Sequence, residues 1–282
     1  MIRRKLEENF FRVLMVLATI LVTGSFFLIV GTILYRGVPF MTWDMVSKIP
    51  GGGFYIGKEG GVLNAIVGSL YVAGGATILG LFISIPVAIY INMYLGGRTW
   101  LANALRIAFD VLFGIPSIVY GAFGFLIMVY FGIRASLLGG IVAVTLLVIP
   151  ILVRTLDEVI RTVPRELRDA TSALGATRWE TAKVVIRQIR PGVFTAILLS
   201  FGRAVGDVAS VLFTAGFSDN IPTSLHQPTA TLPLAIFFQL GSPVAEVQGR
   251  AYASALILTI IVLIITVLSS ILAKQFSKNT SR

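Results

Sequence analysis

The sequence predicts an all-α integral membrane protein with six transmembrane helices, organised as a single domain over residues 1–282. Three observations carry this. Only 13% of the residues are charged, against about 25% in an ordinary soluble domain, while 56% are hydrophobic and the mean hydropathy is +0.90. Apolar runs recur that are long enough for a bilayer, whose hydrocarbon core takes roughly 20 helical residues to cross. Seventeen of the 23 Lys and Arg residues fall in one set of inter-span segments and five in the other, the asymmetry that orients membrane proteins. The net charge of +10 is thereby explained by membrane topology, and nucleic acid is not needed as a partner. With no cysteine and a single histidine, His226, disulfides, thiolate sites and histidine-rich metal centres are excluded.

The first span covers about 13–34. Its apolar stretch is longer than the core of a secretory leader and no small-residue cleavage site follows it, so it reads as an uncleaved span. The second covers about 63–93, long enough to tilt or to extend past the hydrocarbon. The third covers about 107–130, the fourth 137–153, the fifth 193–215 and the sixth 251–273. Pro86, Pro116 and Pro150 lie inside the second, third and fourth. Each removes a helical hydrogen bond and predicts a kink, which membrane helices tolerate where protein or a cavity satisfies the freed carbonyl. Three in succession favour a bundle that moves or encloses a pathway. Basic residues mark both termini, the segment holding Arg98 and Arg106, and the segment 154–192 as cytoplasmic. The outer loops are 35–62 and 216–250, and the short apolar run of the second is expected at the outer surface with His226 exposed.

The cytoplasmic segment reads as two short helices. Pro164 suits a first turn. Leu167, Ala170, Thr171 and Leu174 follow at helical spacing, a narrow face of apolar and small residues. Gly175 fits a left-handed helix stop. Thr177 and Glu180 form a capping box that starts the second helix, which runs to about Ile189 before Pro191-Gly192. Such an elbow either docks into a groove on another protein or lies as an amphipathic hairpin on lipid; the residues alone admit both.

In the fifth span Ser200, Arg203, Asp207, Ser210 and Thr214 are spaced 3, 4, 3, 4, which predicts one polar helical face. Gly202 and Gly206 form a G-x-x-x-G pair on an adjoining face, where a second helix can approach closely. An arginine at the bilayer centre costs about 2.5–3.5 kcal/mol on insertion scales. Asp207, one turn on, offsets part of that. The pair is either a self-satisfied structural ion pair or an oxyanion contact. In the second case Arg203 offers a bidentate fork, and Asp207 neutralises it or accepts from a hydrogen-bearing anion. Asp110, near the start of the third span, is an interface or cavity residue with no assigned role. Ser117 and Tyr120 either line a pathway or bond to backbone.

Resemblance narrows these choices. The stretch RDATSALGATRWETAKVVIRQIRPG, 168–192, resembles the cytoplasmic signature of type I ABC importer permeases, in which Glu-Ala-Ala, three residues, glycine and nine residues precede Ile-x-Leu-Pro. Asp169, Ala170, Thr171 and Gly175 match, Val185 takes the isoleucine position, and Arg187-Gln188 stand where Leu-Pro is usual. GRAVGDVASVLFTAG, 202–216, is similar to the Arg-Ala-x-Gly-Glu-Thr stretch of phosphate importer permeases. GIPSIVYGAFG, 114–124, and IPILVRTLDEVIRTVPRELRDA, 149–170, resemble segments of their A-type subunit.

The resemblance implies a MetI-like fold in which the elbow is a coupling helix. Asp169, Ala170, Thr171, Leu174 and Gly175 then face an ATP-hydrolysing partner, since this chain has no phosphate-binding G-x-x-x-x-G-K-[ST] loop. ATP and magnesium would reside on that partner, and this chain would hold no cofactor and be no enzyme. The implied assembly adds a homologous C-type permease, an ATPase dimer and an extracytoplasmic phosphate-binding protein in a prokaryotic inner membrane. Arg203, Asp207, Ser200 and Ser210 are the expected translocation residues, and the resemblance adds Arg154 with Asp157; from the residues alone Arg154 is only an arginine at the cytoplasmic edge. The alternatives are a permease for molybdate, sulfate or phosphonate, an ATP-independent anion channel, and a membrane enzyme, the last opposed by the lack of a clustered acid–base set within the spans.

Overall fold

A computed structural model describes residues 2–51, 59–96 and 99–280, with side chains for 7–51, 59–96 and 99–271. Of the orienting charges, Arg3, Arg4, Lys5, Lys58, Arg98, Lys274, Lys278 and Arg282 lie outside the described side chains. The described residues form helices α1 (Ile2–Gly37), α2 (Trp43–Ser47), α3 (Leu63–Ile89), α4 (Trp100–Phe113), α5 (Ser117–Tyr130) and α6 (Leu137–Arg161). There follow α7 (Arg165–Ala173), α8 (Arg178–Gln188), α9 (Arg190–Val205), α10 (Leu232–Leu240) and α11 (Ala245–Thr280), and no strand occurs among the described residues. A π-helical turn, Tyr90–Tyr94, continues α3.

The centre is α3 packed along α6. The buried side of α3 is mostly small: Ala65, Gly68, Ser69, Ala73, Ala76, Thr77, Gly80 and Ser84. Small residues at helical spacing let two backbones approach, which is how apolar helices associate where lipid is as apolar as leucine. Val144, Val148, Leu152 and Leu156 of α6 fill that seam, and Ile141 seats against Gly75. In the most apolar window of α6, 67% of residues are buried; in that of α1, none are. Thus α6 is the core helix, and α1 is a peripheral helix that rests on α11 and presents apolar side chains such as Phe27 and Leu28 outward.

Four helices, α1, α3, α6 and α11, are each long and apolar enough to cross a membrane, and six spans result if two bent pairs each count as one. One bent pair departs from the expected third span. In place of one kinked helix over 107–130, α4 and α5 meet at 95°. Pro116 cannot donate a backbone N–H and drives Ile115 out of the helical region, while Gly114 closes α4. The Tyr120 hydroxyl donates to the Leu112 carbonyl across the bend at 2.8 Å. Pro86 and Pro150, by contrast, lie inside continuous helices. The π turn begins four residues after Pro86, with the Tyr90 N–H shared between the Pro86 and Val87 carbonyls. The fourth span also runs on: α6 continues to Arg161, so Arg154 and Asp157 belong to a helix and not to the following loop.

The second loop of the opposite end is not confined to the surface. Residues 229–235 are buried, and Leu232 and Ala235 join Met45, Val62, Ala65, Ala253 and Ile257 in a second core. The Leu232 N–H donates to Ser69 Oγ at 2.8 Å. At Gly68 an added Cβ would fall 1.9 Å from the Ala230 carbonyl oxygen, so the groove that admits this loop exists because α3 has no side chain there. His226 is exposed, as expected.

Candidate functional site

The expected polar face of the fifth span is built differently from its spacing. Helix α9 stops at Val205, and Asp207, Ser210 and Thr214 lie in a compact turn segment beyond it. Asp207 explains the stop. Its Oδ2 accepts from the Ser210 N–H at 2.9 Å and from the Ser210 hydroxyl, the geometry in which an aspartate caps the N–H three residues on and competes with helix continuation. Short helical turns follow, with the Leu212 N–H on the Val208 carbonyl and the Ala215 N–H on the Val211 carbonyl, each at 3.0 Å.

That segment is pinned from several sides. The Ser136 N–H donates to the Thr214 carbonyl and the Thr229 N–H to the Ala215 carbonyl, each at 2.9 Å. Gly121 of α5 and Gly139 of α6 leave room for the backbone at Ala209 and Thr214. Ser200, Ser210 and Thr214 are fully buried, and the Ser200 hydroxyl has no partner among the described residues.

Arg203 is placed otherwise. Its Nη1 donates to Asp207 Oδ1 at 3.0 Å, yet its side chain is 45% exposed while that of Asp207 is 3% exposed. One carboxylate oxygen therefore holds the arginine and the other holds the turn, and nearly half of the arginine side chain stays exposed. A guanidinium has five N–H donors, so most are free for an incoming acceptor. Gly202 and Gly206 form no tight seam within this chain: a Cβ on Gly202 would only touch Ile265, at 3.8 Å, and one on Gly206 would meet nothing beyond the Gly202 carbonyl. The surface beside Arg203 is open.

At the other end of α9 the elbow takes the shape its residues dictate. Gly175 has φ +78° and turns the chain. The Thr177 side chain accepts from the Glu180 N–H at 3.3 Å while Glu180 Oε2 accepts from the Thr177 N–H at 2.8 Å. The Thr177 N–H, then its hydroxyl, hold the Glu180 carboxyl below its ordinary value. The expected docking face divides. Leu167 packs toward the core, and the Thr171 hydroxyl meets that of Thr181 at 3.3 Å, so both face inward. Asp169, Ala170 and Gly175 are exposed, and Leu174 is 88% exposed. A leucine so bare at the tip of a polar elbow marks a contact surface.

Arg154 pairs with Asp110 of α4 and with Glu158 at 3.3 Å, and it is half exposed. Asp110 thus gains a partner that the sequence reading did not supply. The larger omission is a buried network one turn away. Asp157 receives both arms of Arg106, Nε on Oδ2 and Nη2 on Oδ1, each at 2.9 Å, and the Asn92 amide at 2.7 Å. It joins the π turn, α4 and α6. From the sequence alone Arg106 is only an orienting charge. The available signal was two opposite charges at the same end of neighbouring apolar spans, where an unpaired one would be costly. No group of three or more His, Cys, Asp or Glu residues able to hold a metal occurs among the described residues.

The described residues thus form a helical membrane bundle with an exposed elbow and a half-exposed arginine beside a buried carboxylate, features that fit the membrane component of a transport assembly. The chain belongs to the family of binding-protein-dependent transport system inner membrane components, which matches residues 80–282. It is 33% identical over 279 residues to the phosphate transport system permease protein PstA of Pasteurella multocida (strain Pm70), covering 98% of this chain and 97% of that protein. It is 36% identical over 214 residues to the protein of the same name from Yersinia pestis, covering 76% and 72%. Among solved structures, an inward facing conformation of the MetNI methionine ABC transporter aligns with TM-score 0.59 and 19% identity over 76% of this chain and 95% of that one. That likeness speaks for the fold.

Proposed function

We propose that this chain is the transmembrane permease subunit of an ATP-driven phosphate importer, with Arg203 as an oxyanion contact on the translocation route. Permeases named for phosphate transport match over nearly its whole length, but the observation that carries the site is local. Arg203 is the one basic residue of the fifth span, it is half exposed, and its charge is balanced by a carboxylate that is itself buried. Intramembrane charge is costly and marks substrate routes, and a guanidinium fork matches an oxyanion. Because Arg203 faces out of this chain, the route is completed by a second, homologous permease at that face.

The elbow end is the cytoplasmic one, with both termini on that side. Asp169, Ala170, Leu174 and Gly175 meet an ATPase there, and Thr171 sets the angle between α7 and α8. ATP and magnesium belong to the ATPase, a phosphate-binding protein delivers substrate from outside, and elbow displacement moves α9 in alternating access. The test is ATP-dependent uptake by the chain reconstituted with these partners. Arg203→Gln should lower phosphate uptake by roughly tenfold or more, the loss expected when a charged hydrogen bond worth about 1.5–3 kcal/mol is removed, with ATPase assembly intact. Undiminished uptake in Arg203→Gln would refute the site. Uptake of sulfate or molybdate in preference to phosphate would refute the substrate.

A further inference from the structure

Between the elbow and the end of α3 lies a cleft of about 320 Å³ lined by Asn92, Tyr94, Arg168, Ser172, Arg178 and Thr181, among others. Two arginines reach it from different helices, Arg168 from α7 and Arg178 from α8, and no acidic residue lines it among the described residues. Neither arginine has a carboxylate partner among the described residues. Arg168 Nη2 donates to the Ile160 carbonyl at 2.8 Å and its Nε is buried without a partner. Arg178 Nη1 donates to the Tyr94 carbonyl at 3.2 Å, and its guanidinium lies 5.9 Å from the Tyr94 ring centre. Burial, and then the charge of Arg165, lower the proton affinity of Arg168, so its surroundings lack the anion that would stabilise a cation there. Three other arginines in this half of the molecule do have acidic partners. Arg106 and Arg161 approach Asp157, and Arg154 pairs with Asp110 and Glu158.

We propose that this cleft binds a phosphate-type oxyanion, supplied either as free phosphate or as the headgroup of an anionic lipid. Arg168 and Arg178 provide the positive charge, and the Thr181 hydroxyl, which accepts from Thr171 at 3.3 Å, has its own O–H to complete oxyanion coordination; the Ser172 hydroxyl donates to the Arg168 carbonyl at 3.0 Å and would join only by rotating away from it. The consequence is mechanical. A bound anion would join α7 and α8 to the π turn, whose Asn92 also touches the Arg106–Asp157 pair. It would therefore act as a strut at the root of the elbow. The site is separate from Arg203, so its existence does not depend on the translocation reading.

The test is arginine modification by phenylglyoxal, mapped by mass spectrometry on the full chain in nanodiscs. In phosphatidylcholine discs, phosphate at about 10 mM should slow modification of Arg168 and Arg178 about tenfold for a Kd on the order of 1 mM, since the unprotected fraction scales as 1/(1 + [L]/Kd). Sodium chloride at equal ionic strength should not do so, and exposed Arg187 should be unaffected. Protection in phosphatidylglycerol discs without added phosphate assigns the site to a lipid headgroup. Protection only with added phosphate assigns it to the free ion. Arg168→Gln should abolish the protection of Arg178 in whichever case applies. If neither phosphate nor phosphatidylglycerol protects the two arginines, or if chloride or Arg187 behaves the same way, the proposal is overturned. Protection of Arg203, read from the same maps, reports on the translocation reading independently.

Discussion

Removing Arg106 isolates one energetic consequence of this fold. Asp157 is 8% exposed at the side chain and Arg106 17%, and the two meet by a bidentate pair of 2.9 Å bonds. Taking one partner from a buried pair costs about 3–5 kcal/mol, mostly because the other charge is stranded. Arg106→Met falls near the lower end, about 3 kcal/mol, because two groups soften it. Asn92 still donates to Asp157 at 2.7 Å, and Arg161, 63% exposed, already stands 4.0 Å away and can move in. Asp157→Asn should cost about 2–3 kcal/mol, since the guanidinium loses its charged partner but keeps amide acceptors on Asn92 and Asn103. The double variant strands no charge and should lie within about 1–2 kcal/mol of the parent, giving a coupling energy of about 3–5 kcal/mol. Steric trapping in bicelles measures all four corners of the cycle. Single variants that each cost under about 1 kcal/mol and add within about 0.5 kcal/mol would refute the claim that this pair holds α4 and the π turn to α6.

Two further outcomes follow from single positions. Gly68→Ala places a methyl 1.9 Å from the backbone oxygen of Ala230, and neither element can yield without opening the second core; a loss of about 1–3 kcal/mol should show as a lower thermal midpoint, and an unchanged midpoint would mean the loop is not seated in that groove. Leu174→Asp alters a side chain that touches almost nothing in this chain, so stability should stay within about 0.5 kcal/mol while co-purification of the ATPase is lost; retained assembly would remove Leu174 from the interface.

The parts of this fold that were legible in the sequence are those decided by local chemistry. The start of α3, the stop at Gly175 and the Thr177–Glu180 box each depend on residues a few positions apart, whereas α11 extends beyond the expected 251–273 at both ends. What was not legible depends on which of two local preferences wins. Spacing at 200–214 favoured one helix, but Asp207 closes a bond to the Ser210 N–H and the helix ends; the Asp-x-x-Ser pattern was the signal. Pro116 predicts a kink and makes a corner, because Gly114, two residues before it, gives up helical continuity as well. The Arg106–Asp157–Asn92 network required knowing that three segments converge. The burial of residues 229–235 required knowing that α3 offers a groove of small residues, a property of a packed pair rather than of either segment.

The break at Asp207 also changes what that residue can do. Irregular backbone at membrane depth persists only where protein satisfies it, and the turn after α9 is satisfied by Ser136, Thr229 and Asp207 itself. Arg203 stands in the last turn of α9, the end where a helix favours a cation, and it is held by a carboxylate locked into that turn. Its position is therefore set by the frame around 207–215 as well as by its own helix. Two substitutions separate the cap from the charge. Asp207→Asn keeps an acceptor for the Ser210 N–H and removes the attraction on Arg203, which being half exposed is not stranded; stability should change by less than about 1 kcal/mol. Asp207→Ala removes both and should cost about 1–2 kcal/mol from the lost cap alone. If Asp207 aligns Arg203 for an oxyanion, both variants should lose phosphate uptake to a similar degree despite their different stabilities, and the ratio of phosphate to sulfate uptake should move in Asp207→Asn. Were uptake instead to follow stability, normal in the asparagine variant and low in the alanine one with the selectivity ratio unchanged, Asp207 would be a helix cap and nothing more.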